Sequence, residues 1–200
     1  MNIAIDMGGR AQRLRSETAS AHERLDTRIM AAAPFAARDR YVRFLQVQYL
    51  FHRDIDALYD AASLRGMLPD LPERRRLELI AQDLQDLDAS PPAVNAAPVF
   101  DDRMPDVPSA LGWLYVAEGS NLGAAFLLKE AAKLDLNEQF GARHLAAHPQ
   151  GRGLEWRTFR TALDAINLSD EEDARTVAGA VRAFERVRML VEQFLPFDER

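Results

Sequence analysis

The feature that most constrains this chain is residues 109–134, a stretch apolar on nearly every side with Gly119 and Gly123 in its middle. A helix without a polar face has nothing to offer water, so this run predicts a buried central helix with other helices around it. A glycine inside a helix costs about 1 kcal/mol against alanine, so two of them four apart need a reason. They permit close approach of a second helix, or of a flat ligand that lies almost on the backbone. Both readings are open from spacing alone, and either softens the helix enough to predict a kink.

The flanking segments repeat a helical period. Residues 11–30 carry Leu14, Thr18, Ala21, Leu25 and Ile29 on one face, with Pro34 beyond the end. Residues 38–64 do the same with Tyr41, Phe44, Leu45, Gln48, Phe51, Ile55 and Leu58. Pro69 and Pro72 bracket a turn, and residues 74–87 predict a third helix. Five of the ten prolines fall in residues 88–108, which predict a long surface loop. A short turn over 143–148, a helix over 155–166 and a last helix running to Pro196 follow. That last helix opens on Ser169 and Glu172 in capping-box spacing. Strand signals are nearly absent. The expectation is an all-α, single-domain chain of about six to eight helices over residues 11–196, preceded by a flexible N-terminus at 1–10; 200 residues suffice for one full core.

Composition removes several functions. Lys and Arg total 25 against 31 Asp and Glu, a net charge of −6, which argues against nucleic-acid binding. Without cysteine there is no disulfide, zinc ribbon, iron–sulfur ligation or thiol catalysis, and a reducing cytoplasm is the expected location. Residues 1–9 lack the basic flank and apolar core of a signal peptide. The longest uncharged stretches, 107–117 and 119–128, are half the roughly 20 residues that a membrane helix needs, so no membrane insertion is expected. Apparent motifs also fail. His22-Glu23-Arg24-Leu25-Asp26 lacks the second histidine of a zinc HExxH, and His52-Arg53-Asp54 lacks every other kinase element. No paired Glu-x-x-His motifs suggest a di-iron site.

His22 lies one turn from Leu25, at the edge of the apolar face of the first helix. A lone histidine there is more often packed than ligating. Asp26, four residues on, shares its face and can hold one ring nitrogen, which fixes the tautomer and aims the other at a metal.

The runs Ala21-His22-Glu23-Arg24-Leu25-Asp26 and Leu111-Gly112-Trp113-Leu114-Tyr115-Val116-Ala117-Glu118-Gly119-Ser120-Asn121-Leu122-Gly123-Ala124-Ala125-Phe126 resemble the bacterial haem oxygenases, as does Phe140-Gly141-Ala142-Arg143-His144-Leu145. The resemblance implies a helical bundle with haem sandwiched between a proximal helix and a kinked, glycine-containing distal helix. It implies that His22 ligates the haem iron, that Asp26 supports it, and that Gly119 and Gly123 lie over the distal face. Ser120 joins that catalytic set, standing where animal-type members carry an aspartate, so the proton route differs. Arg15 and Tyr115 are expected near the propionates, and Asn121 beside the cofactor. The implied activity is oxidative cleavage of haem, both cofactor and substrate, to biliverdin, CO and ferrous iron, for iron acquisition or bilin supply, with no other metal. Electrons come from an external donor such as a ferredoxin or a flavin reductase. Residues 10–28, with five arginines against Glu17, Glu23 and Asp26, offer such an acidic partner a docking face. The alternative is a non-catalytic haem carrier or sensor of the same fold. Of the other histidines, His52 is expected to pack on helix 2 or face solvent, His144 to join a hydrogen-bond network, and His148 to sit in a loop.

Overall fold

Residues 9–68, 70–101 and 104–197 are described by a computed structural model; what was expected of residues 1–8 and of Pro69 lies outside them. Among the described residues the chain runs through α1 (Arg10–Ala31), α2 (Arg38–Ile55), the short α3 (Ala62–Arg65), α4 (Leu77–Asp86), α5 (Val107–Ala132), α6 (Arg152–Ala165) and α7 (Asp170–Phe194), with 3-10 turns at Asp56–Tyr59, Leu71–Arg74 and Arg143–Leu145. No strand forms among them; two isolated bridges join Asn137 to Phe140 and Gly141. The all-α expectation is met, and α5 is helical without a break across its glycine run. Both halves of the Ser169/Glu172 capping box are present.

The helix expected from residue 155 starts at Arg152, and two further boundaries differ from the sequence reading. The helix expected over 38–64 stops at Ile55. A continuing helix would give the Asp54 carbonyl to residue 58, but the backbone N–H of Phe100 donates to it at 3.0 Å. Arg75 also grips this corner, its Nε 3.2 Å from Asp56 Oδ1 and its guanidinium paired with Asp60. The third helix starts at Leu77, not at residue 74, because Arg74 is turned inward to a buried partner on α5. In both places a tertiary contact overrides a local period.

The tightest contact in the core joins α5 to α7. A Cβ on Gly112 would lie 2.1 Å from the Thr176 carbonyl oxygen, and one on Gly179 would lie 2.3 Å from that of Ser109. The two backbones therefore touch, which only glycine at both positions allows. α7 packs against α1 as well, whereas α1 and α5 scarcely touch each other.

Both ends of α1 are tied to late parts of the chain. Arg10 pairs through Nε with Asp173 at 2.5 Å and donates to the carbonyls of Leu163 and Ile166. Arg28 donates to the Leu195 carbonyl at 3.0 Å and lies 4.1 Å over the Phe197 ring. Buried Arg40 on α2 donates to the carbonyls of Ala32 and Pro196.

The core also encloses ionisable groups. Asp83 accepts from the backbone N–H groups of Arg143 and His144, and its Oδ2 is 2.7 Å from His144 Nδ1, which pins the 143–145 turn to α4. Burial, with help from Arg76, lowers the pKa of His144 against the pull of Asp83. Burial lowers that of His52 to about 3, with Arg76 and His144 adding to it. Burial raises Glu118 to about 7 although Arg74 Nη1 donates to its Oε2 at 2.9 Å.

Two predictions follow from this packing. Gly112→Ala forces the α5–α7 backbones apart and should cost about 3 kcal/mol, a fall of roughly 6–12 °C in thermal midpoint by circular dichroism. Gly123→Ala, where a Cβ meets nothing within 4 Å, should show no such loss. The second concerns pH. His52 binds its proton more weakly folded than unfolded, so its contribution is complete above pH 6.5 and is lost as pH falls toward 3; His144 acts in the same sense. Glu118 acts oppositely, its contribution being lost as pH rises from 4.5 to 7. Urea midpoints should therefore rise gently from pH 4.5 to 6.5 and fall more steeply below 4.5. His52→Gln should flatten the upper segment, and a wild-type slope retained in that variant would show that His52 is not its source.

Candidate functional site

Beyond its crossing with α7, the character of α5 changes. From Ala110 to Glu118 every residue is buried; from Gly119 onward one side of the helix is uncovered. Gly119, Leu122, Gly123 and Phe126 follow the i, i+3, i+4, i+7 pattern that places them on one face. Leu122 is 45% exposed and Phe126 51%. A Cβ on Gly119 would meet only the edge of Trp156, at 3.7 Å, and one on Gly123 meets nothing within 4 Å. Helix packing, one of the two open explanations for these glycines, thus applies to Gly112 and Gly179 and not to Gly119 or Gly123. An apolar stripe with a groove of missing Cβ atoms is the shape a flat apolar ligand requires.

His22 lies on α1. Its side chain is 62% exposed, so it is not a packed core histidine. Nδ1 is 3.3 Å from Asp26 Oδ2, itself 60% exposed, and the ring meets Phe184 of α7 edge-on at 5.7 Å between centroids. With Nδ1 facing a carboxylate, Nε2 is the nitrogen left for a metal.

Arg15 is exposed on α1, two turns before His22. Tyr115 of α5 is nearly buried, tilted against Trp156 at 5.6 Å. Burial raises its pKa, opposed by the positive charges of Arg15 and Arg160. These three residues from α1, α5 and α6 are therefore near enough to feel one another electrostatically, and a tyrosine hydroxyl with two guanidinium groups in range suits carboxylates. Sequence reasoning had named Arg15 and Tyr115 and missed Arg160. The only signal for it was its place on an α6 face with Trp156, which nothing in the sequence tied to Tyr115.

The remaining residues are arranged less simply. Ser120 is exposed, but its Oγ donates to the Ala117 carbonyl at 2.7 Å, so its proton is used within the helix. Asn121 is buried, away from the uncovered stripe, and its carbonyl accepts from Arg152 at 3.2 Å. His52 and His144 are buried and His148 is half-buried near Gln150. Behind the stripe lies a charged cluster that sequence reasoning also missed. Arg74 reaches Glu118, Asp70 and the Glu155 carbonyl, at 2.9, 2.6 and 3.2 Å. Tyr59 Oη, His52 Nδ1, His144 Nε2 and Glu155 Oε2 are buried without a hydrogen-bond partner among the described residues.

The docking face expected on α1 is narrower than its composition suggested. Arg10 and Arg28 are turned to the protein's own backbone and Arg13 pairs with Glu17 at 2.7 Å, which leaves Arg15 and Arg24 outward. No cluster of His, Cys, Asp and Glu able to hold a bare metal ion occurs among the described residues. No helix of theirs is long and apolar enough to cross a membrane.

Comparison with known proteins agrees with this geometry. The profile of the heme oxygenase family matches residues 9–193. The chain is 42% identical over 184 residues, 92% of each protein, to "Heme oxygenase PigA" of Pseudomonas aeruginosa. The crystal structure of the NO- and CO-bound heme oxygenase of Neisseria meningitidis superposes with a TM-score of 0.88 at 39% identity, covering 95% of this chain and 94% of that one. Heme oxygenase from Leptospira interrogans shares the fold, with a TM-score of 0.72 at 19% identity over 93% of this chain and all of that one. The family profile spans nearly the whole chain, including both the His22 helix and the glycine stripe, and the chain belongs to the heme oxygenase family.

Proposed function

We propose that this protein binds haem between α1 and the uncovered stripe of α5 and cleaves it oxidatively to biliverdin, CO and ferrous iron. The observation that carries this reading is the stripe itself: no backbone is packed against Gly119 or Gly123, the first facing only the edge of Trp156 and the second open space, yet they sit in a face flanked by exposed Leu122 and Phe126. Residues 11–196 act as one domain, with the cytoplasm as the site of action, as the absence of cysteine suits.

His22 Nε2 would hold the haem iron, with Asp26 favouring the proton on Nδ1. A neutral imidazole would be a weaker electron donor to that iron than a thiolate. Arg15, Tyr115 and Arg160 would hold the haem propionates. Haem, once bound, supplies the iron on which O₂ is activated against the macrocycle itself. Gly119 and Gly123 let the α5 backbone crowd that side, restricting the oxygen's approach to the ring edge. Ser120, its proton given to Ala117, offers only acceptor lone pairs, so it can hold a water but does not supply the proton. Asn121 acts through the helix, not through direct contact with haem. The electron donor is an acidic redox protein of the ferredoxin or flavin-reductase kind, docking at Arg15 and Arg24.

Hemin should bind one-to-one, and His22→Ala should lose the histidine-ligated spectrum, partly restored by added imidazole. A wild-type spectrum in that variant overturns the ligand assignment. Reductant and O₂ added to the hemin complex should give biliverdin; stable spectra instead would mark a carrier. Gly123→Val should keep its thermal midpoint yet lose at least half of the bilin formed per electron consumed, and unchanged coupling would remove Gly123 from the chemistry. Turnover with a protein donor should fall as salt rises and again with Arg24→Glu, and salt-independent turnover would place the donor elsewhere.

A further inference from the structure

The imidazole of His22 is reached by two groups among the described residues, Asp26 and Phe184, and they do different work. At 3.3 Å, Nδ1 and Asp26 Oδ2 stand just beyond the usual range of a nitrogen–oxygen hydrogen bond. Both side chains are more than half exposed, so their attraction is weakened by water and salt. A carboxylate at that distance favours the proton on the facing nitrogen. It leaves the ring free to tilt, since the carboxylate can follow.

Phe184 has no such freedom. It is 7% exposed and sits in the α7 face that packs toward α1. Its ring stands at 87° to the imidazole, a T-shaped contact of the favoured aromatic geometry. Five residues earlier on the same helix, Gly179 is locked against α5. The helix that touches the α5 wall thus also carries the ring that meets the α1 histidine.

We propose that Phe184 is a positioning residue that sets the plane of the His22 imidazole, and through it the orientation of the axial ligand with respect to the haem ring. This rests on the assignment of His22 as the ligand. The plane of an axial imidazole decides how its π orbitals meet those of the iron. A ring free to swing samples several such overlaps, and a ring held against Phe184 samples one.

The test uses the full chain with Phe184→Leu and Phe184→Met, which keep an apolar side chain and remove the aromatic face, and Phe184→Tyr, which restores it. If one replacement fails to fold, the other carries the test. Without haem, the His22 ring protons should lose their ring-current shift in the Leu and Met variants and regain it with Tyr. In the ferrous haem complex, the iron–histidine stretching band should broaden and shift in the Leu and Met variants and return with Tyr. Hemin affinity should fall roughly three- to tenfold, the size of one aromatic pair. An iron–histidine band present in all forms and identical in position and width overturns the role of Phe184 and leaves the ligand assignment standing. A wild-type ferrous complex with no such band overturns the ligand assignment itself, and the role of Phe184 with it.

Discussion

The α5–α7 crossing at Gly112 and Gly179 sets the geometry on which the site depends. Two helices whose backbones touch cannot slide or roll past one another, because each displacement drives a carbonyl into a neighbouring Cα. Each glycine costs its helix about 1 kcal/mol in propensity. In return the crossing fixes the rotation of α5, and with it which residues about three to four turns later face outward. Leu122, Gly123 and Phe126 are uncovered because Gly112 is not. Since α7 also packs on α1, both candidate walls are referenced to one helix and need no contact with each other.

α5 has a front and a back that its composition conceals. On the front, small and apolar residues stand in the open. On the back, Glu118 lies buried against Arg74, one residue from Gly119. A carboxylate raised to about 7 beside a guanidinium is a buried pair in which the cost of burial outweighs the attraction. Tyr59 and Glu155 place further polar atoms in the same interior region without hydrogen-bond partners among the described residues. The helix thus presents a surface without polar side chains to a flat apolar ligand while its other side is anchored by charge.

Much of this was legible from the sequence. The period of residues 11–30 located α1 to within one residue at each end, and the capping box at Ser169 located the start of α7, because both signals are local. The helix over 38–64 failed because its end is decided by Phe100, more than forty residues away, and no period records such a contact. The glycines show the same limit. Gly112, Gly119 and Gly123 look alike in a string of letters; space around the missing Cβ separates the one that packs from the two that do not. Arg160 and Phe184 went unnoticed because each belongs to the site only through a neighbour on another helix. His22 was found because its partner is four residues away on its own helix.

The ties at the two ends of α1 bear on how the protein comes into being. Arg10 is held by Asp173 and by carbonyls at the end of α6, and Arg28 by Leu195 and Phe197. The N-terminal end of α1 can therefore be fastened only once residues 163–173 exist, and its C-terminal end only once residues 195–197 do. A chain that stops short of residue 195 keeps α5, the Arg10 ties and Phe184 but lacks the hold on Arg28, so the helix that carries His22 is pinned at one end alone.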